Sequence, residues 1–152
     1  MPADLWSFAL ARYARPGVES ACLTLQAEGA DVCLLLCGAW LQRHGVACTQ
    51  ARLSHLQAIA QPWQAEVISP LRQLRQNWRT AAQQQTPLAT LRERLKELEL
   101  DAEQQLLLAL QACAHDWARA NESAVPAWLE ALAGTDADPD ALQLLRDEAM
   151  QA

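Results

Sequence analysis

Glycine, at five of 152 residues, is scarce in this chain, and β-branched residues are few. A sheet-rich fold is thereby excluded, because hairpin turns draw on glycine and strands on branched side chains. Phenylalanine and tyrosine occur once each, so six tryptophans carry the large aromatic volume. No apolar run is long: the longest, Val32 to Leu41, is about half of what a membrane-crossing helix needs. Paired cysteine motifs are missing too. Five cysteines at irregular spacing, an odd number, do not form the framework of a secreted disulfide-bonded domain. The sequon-like Asn121-Glu122-Ser123 is then accidental, and the Met1-Pro2-Ala3-Asp4 start lacks the positive region of a signal peptide. These absences together predict a cytoplasmic protein.

Positive charge is nowhere concentrated. Residues 1–115 carry ten acidic and ten basic side chains, whereas residues 116–152 carry eight acidic and two basic ones. The whole net charge of −6 therefore sits on the last quarter. Phosphate-backbone binding needs clustered cations, so neither nucleic acid nor membrane is the expected partner. The sequence divides on this basis into a helical core domain, 1–115, and an acidic helical extension, 116–152, packed on or trailing from it.

What is present favours helix. Ala, Leu, Gln, Glu and Arg are abundant, and a chain of this length can bury roughly 70% of its unfolded surface. The expected fold is all-α, a compact bundle of about six to eight helices. Asp4 caps a first helix bearing Leu5, Trp6, Ala9, Leu10 and Tyr13. Arg15-Pro16-Gly17 stops it, and Pro16 opens a second helix over about 17–28. Gly29 and Asp31 end that helix and cap a third, Val32 to His44, apolar on nearly every side and hence central. Thr49 caps a fourth helix. Pro62 opens or kinks into a fifth, in which Trp63, Val67, Leu71, Leu74 and Trp78 recur at helical spacing, and Pro70 bends it. Ala81–Gln85 reads as a loop, followed by Thr86-Pro87 as cap and first turn. Leu88, Leu91, Leu95 and Leu98 then begin a single long helix, 87–119. Val125-Pro126 starts a short helix ended by Gly134, and Asp138-Pro139 caps a last one.

No catalytic constellation is visible. Cys22, Cys33, Cys37, His44 and Cys48 form the densest collection of potential ligands, and a metal or small-molecule site around Cys33, Cys37 and His44 is one functional reading. Their neighbours are Leu and Trp, among which a neutral thiol packs as a small hydrophobe, and no motif aligns His44 or His55 with a nucleophilic cysteine. Asp136-Ala137-Asp138-Pro139-Asp140 starts like a calcium loop, but Ala141 and Asp147 stand where glycine and glutamate belong. Glu93, Glu97, Glu99, Asp101 and Glu103 lack the Glu-x-x-His of a di-iron bundle and, interleaved with Arg92, Arg94 and Lys96, read as a solvated face. The sequence therefore implies no cofactor.

The fifth helix offers a different chemistry. Arg72, Arg75 and Arg79 run beside Leu71, Leu74 and Trp78, and an apolar stripe bordered by arginines suits a protein-binding surface. Arg72, Arg75, Trp78 and Arg79 are the candidate contact residues, with pairing to the glutamates of the next helix as the competing use of the arginines. The Leu88–Leu98 seam serves an intramolecular bundle or a homodimer equally well.

The segment LWSFALARYARPGVESACLTLQAEGADVCLLLCGAWL, residues 5–41, resembles the opening of a proteobacterial family catalogued as domain of unknown function 2390. The likeness continues more weakly through Pro70-Leu71-Arg72 and Glu97-Leu98-Glu99 to about residue 115. It implies a cytoplasmic bacterial helical protein with a variable C-terminal part, and it carries no assigned activity, catalytic residue or cofactor. Composition and motifs together favour a non-enzymatic module that binds another protein.

Overall fold

A computed structural model describes residues 4–117, 127–134 and 136–150. Its described residues are helical in α1 (Leu5–Tyr13), α2 (Val18–Ala27), α3 (Val32–Arg43), α4 (Gln50–Trp63), α5 (Ser69–Asn77), α6 (Arg79–Ala82), α7 (Thr86–Ala114), α8 (Trp128–Ala133) and α9 (Pro139–Ala149). The fold is all-α. Among the described residues no helix is long and apolar enough to cross a membrane.

Local side-chain chemistry sets four of the helix starts among the described residues. Asp4, Asp31, Thr49 and Asp138 each accept a hydrogen bond from the backbone N–H three residues on, satisfying a donor that the first turn leaves free. Two starts differ from expectation. Pro16 precedes the cap of α2, which is Gly17 at φ +83°, a left-handed conformation that a side chain would strain. The cap of α7 is Gln85, so Thr86 and Pro87 are already helical. Arg79–Ala82 forms one turn of helix whose last two residues, Ala81 and Ala82, fall in the stretch expected as a loop.

The helix containing Val32 is the hub. From Cys33 to Leu41 every residue of α3 is buried. Helices α1, α2, α4, α7, α8 and α9 all pack on it. Gly38 makes the closest of these approaches possible: a Cβ there would stand 2.7 Å from Leu132 Cδ1 and 3.2 Å from Trp128 Cβ. Trp128 is fully buried and donates its indole N–H to the Val46 carbonyl at 2.7 Å.

Helix α7 is one helix, as expected, but it stops at Ala114 rather than 119. Trp117 leaves the helix to stack on Trp128, with ring centroids 5.9 Å apart and the Arg52 guanidinium 5.3 Å from the Trp117 ring. Positions 118 and 119, and the expected helix start at Val125-Pro126, lie outside the described residues.

Helices α4 and α5 form a nearly continuous rod. Pro62 lies inside α4, not at the start of the next helix, and residues Gln64–Ile68 form a π-helical turn. There the Ser69 N–H reaches back five residues to the Gln64 carbonyl, and Pro70 follows in the first turn of α5, where a missing donor is harmless. The extra residue of the π turn rotates α5 relative to α4, and this rotation decides which face of α5 meets α7.

Candidate functional site

Helix α5 buries none of its side chains fully, and the face it turns toward α7 is polar. Arg75 Nε donates to Glu99 Oε1 at 2.6 Å and its Nη2 to Oε2 at 3.3 Å, while Arg72 Nε donates to the same Oε2 at 3.2 Å. Glu99 is 6% exposed, so two guanidiniums and one carboxylate form a clamp at the edge of the core. The Arg75 carbonyl accepts from Arg92 Nε at 2.9 Å. In the amide orientation that turns its oxygen toward Arg72, Gln26 accepts from Arg72 Nη2 at 3.1 Å. Gln64, the first residue of the π turn, donates to Asp31 at 2.9 Å and so ties the α4–α5 rod to the start of α3.

This polar cluster forms one wall of a half-open cavity of about 250 Å³ between α1, α2, α3, α5 and α7. Trp6, Leu10, Leu23, Leu36, Leu100 and Leu107 supply its apolar lining. Tyr13, Cys33 and Glu103 also face it. Burial, and then the nearby Glu99 carboxylate, push the Glu103 carboxyl above its usual range, against the opposing pull of Arg72 and Arg75. Burial likewise raises Asp31, opposed by hydrogen bonds from the Leu34 and Cys33 N–H groups and from Gln64, and by the Arg72 charge. Tyr13 is pushed up to about 12, chiefly by burial, and remains a neutral phenol at physiological pH.

The opposite side of the α5–α7 pair is apolar. Trp63, Val67, Leu71, Leu74, Leu98 and Ala102 line an open groove of about 500 Å³, with Glu66, Asp101 and Gln105 beside them. The Trp63 indole donates to the Ala102 carbonyl at 2.9 Å and is fixed in position while remaining accessible.

The family described as protein of unknown function (DUF2390) matches residues 4–110. The chain belongs to that family. No curated protein and no solved structure matches it. The match spans every residue named above in the cavity and the groove, so both lie within the DUF2390 region; α8 and α9 lie beyond it.

The four candidate contact residues of the DUF2390 chain divide. Arg72 and Arg75 turn onto Glu99, Trp78 is half-buried at the α5–α6 junction, and Arg79 is exposed. Cys33, Cys37 and His44 do not converge: among the described residues no group of three His, Cys, Asp or Glu side chains is placed to hold a metal ion. Cys33 and Cys37 are buried, and His44 packs edge-on against Trp40 with centroids 5.3 Å apart. Burial lifts the Cys22 thiol to about 12 and those of Cys33 and Cys37 well above their usual range, so all three are neutral at pH 7. Asp138 spends its carboxylate on the α9 cap.

The acidic run of α7 departs from the expected solvated face at two positions. Glu93 does pair with Lys96 at the surface, but Glu99 is buried and Glu103 faces the cavity. The buried seam runs Leu95, Glu99, Ala102, Leu106, Leu110, whereas Leu91 and Leu98 are 50% and 52% exposed. Helical geometry alone leaves Leu98 and Glu99 as competitors for the inward position. The arginines at 72 and 75 decide between them, a signal present in the sequence only as spacing.

Proposed function

We propose that this DUF2390 chain is a non-enzymatic, cytoplasmic protein-binding module. Its contact surface is the groove between the α4–α5 rod and α7, and its occupant is an amphipathic helix of a partner protein. One observation carries the reading: Trp63, Leu74 and Leu98 stand 37%, 39% and 52% exposed along one groove. Large apolar side chains grouped in a groove, with polar residues beside them, mark association surfaces, and an apolar helix face fits this shape. Glu66 and Asp101 favour basic residues flanking that face. Arg72 and Arg75 act here by holding α5 against α7, while Trp78 and Arg79 extend the surface toward α6.

The test uses the full-length chain as bait in lysate, with co-purifying proteins identified by mass spectrometry and the bound segment mapped by cross-linking. Leu74→Glu combined with Leu98→Glu should abolish capture and leave helicity and melting temperature nearly unchanged, since both side chains are exposed. Undiminished capture by the double variant would remove the groove from consideration. Sedimentation at several concentrations addresses the homodimer: a mass that rises with concentration, and falls back in the double variant, would make the occupant a second copy.

A further inference from the structure

Three leucines that line the half-open cavity, Leu10, Leu23 and Leu100, are 48%, 50% and 50% exposed, whereas Leu36, Leu107 and Cys33 on the same lining are at most 7% exposed. The cavity thus passes from an apolar rim to an apolar floor. Large apolar side chains left half-exposed around one opening mark a surface that an apolar partner covers. The charged part of the lining is balanced, with Glu99 and Glu103 against Arg72 and Arg75. Glu99 is held by both arginines, and the Gln26 oxygen is turned to Arg72. Glu103 and the Tyr13 hydroxyl also line the cavity, and no hydrogen bond joins either to another described residue.

We infer that this cavity binds a small neutral organic molecule, an apolar body bearing one hydroxyl, with the hydroxyl turned toward Glu103 and Tyr13. Ligand sites are concave, mostly apolar, and carry a few polar groups that fix orientation, and this lining has that composition. The charge balance selects the class. An ion of either sign would give up its water inside a cavity whose own charges already cancel, and no net counter-charge would repay the loss. An anion would also have to displace Glu99 from both arginines. A hydroxyl escapes both costs: it donates to the carboxylate in a charge-assisted hydrogen bond, and the neutral Tyr13 phenol can either donate to it or accept from it. Size follows from the volume. An apolar cavity of roughly 150 Å³ admits benzene, so one of about 250 Å³ admits a single ring with a short substituent. The site is separate from the groove on the other side of α5 and α7, and the inference does not depend on that groove.

The experiment titrates the full-length chain with 2-phenylethanol, with the cation 2-phenylethylamine and with the anion phenylacetate, read by calorimetry and by tryptophan fluorescence, since Trp6 lines the cavity. Saturable binding of the alcohol, at least tenfold tighter than that of either ion, is expected. Leu10→Trp, at a half-exposed position of the lining, should narrow the cavity and weaken the alcohol at least tenfold while helicity is kept. Leu74→Glu combined with Leu98→Glu alters the groove instead and should leave alcohol affinity unchanged. Glu103→Gln removes one of the two lining carboxylates and leaves both arginines opposed by Glu99 alone. Phenylacetate should then bind at least tenfold tighter than it does to the wild type. Equal binding of the three probes, or no binding of the alcohol, would overturn the inference. So would unchanged alcohol affinity in Leu10→Trp, loss of that affinity in the groove variant, or no gain for phenylacetate in Glu103→Gln.

Discussion

Glu99 carries more of this structure than any other polar residue. It is a charged side chain at a seam position of the longest helix, accepting three hydrogen bonds from two guanidiniums that remain about a quarter exposed. Solvent screens the arginines better than the carboxylate, so removing the two sides of the clamp should have unequal effects. Glu99→Gln leaves both guanidiniums against the edge of the core without their counter-charge. A loss of about 3 kcal/mol is expected, at the lower end of the range for breaking a buried pair because the arginines are partly wet. Arg75→Ala, with Arg72 still in place, should lose less. Chemical denaturation of the two variants at pH 7 measures both values, and equal losses would mean that the clamp is not organised around Glu99. The carboxylate was legible as a residue and illegible as a core position: its partners lie 24 and 27 residues away, and no local pattern announces them.

At the scale of elements, the π turn between α4 and α5 has the largest consequence. Gln64–Ile68 adds a residue to a rod that would otherwise run as one α-helix, and each residue turns a helix by roughly 100°. Deleting Ala65 should restore regular α-helix and swing Arg72 and Arg75 away from Glu99. Far-ultraviolet circular dichroism should then keep its helical amplitude while the denaturation midpoint falls by at least as much as in Glu99→Gln. A midpoint close to that of the wild type would show that the π turn does not set the register of α5. Proline positions pointed to this region, since Pro62 and Pro70 both interrupt the donor ladder. They did not reveal how the interruption is absorbed. The answer depends on the contacts α5 finds on α7, and those are non-local.

The whole molecule is less divisible than its charge distribution implies. Acidic residues crowd the last quarter, yet Trp128, Leu129 and Leu145 from α8 and α9 are at most 4% exposed and belong to the main core. Polar ties reinforce the packing: Arg15 pairs with Glu148 at 3.2 Å, Arg146 pairs with Glu130, and the Asp138 N–H donates to Glu28 at 3.0 Å. Burying each large apolar side chain contributes about 1.5–3 kcal/mol, against a typical net stability of roughly 5–15 kcal/mol for a whole domain. Truncation after residue 115 should therefore abolish cooperative unfolding. A sharp thermal transition for 1–115 would instead mean that the DUF2390 region folds without α8 and α9.

Composition and short-range pattern by themselves determined the helical class, the central helix with its start, and the starting points of three of its neighbours. Those features need only contacts within one or two turns: an Asp or Thr side chain reaching a donor three residues on, or a run with no polar face to expose. Tertiary structure alone decided that Arg72 and Arg75 of α5 turn onto Glu99 while Leu74 stays exposed, that Glu99 outcompetes Leu98 for the seam, and that α8 and α9 join the core. Each of those outcomes compares burial of one group with burial of another. The comparison depends on partners brought together from distant parts of the chain, where a charge is stable only beside its counter-charge and an apolar side chain only where water is excluded.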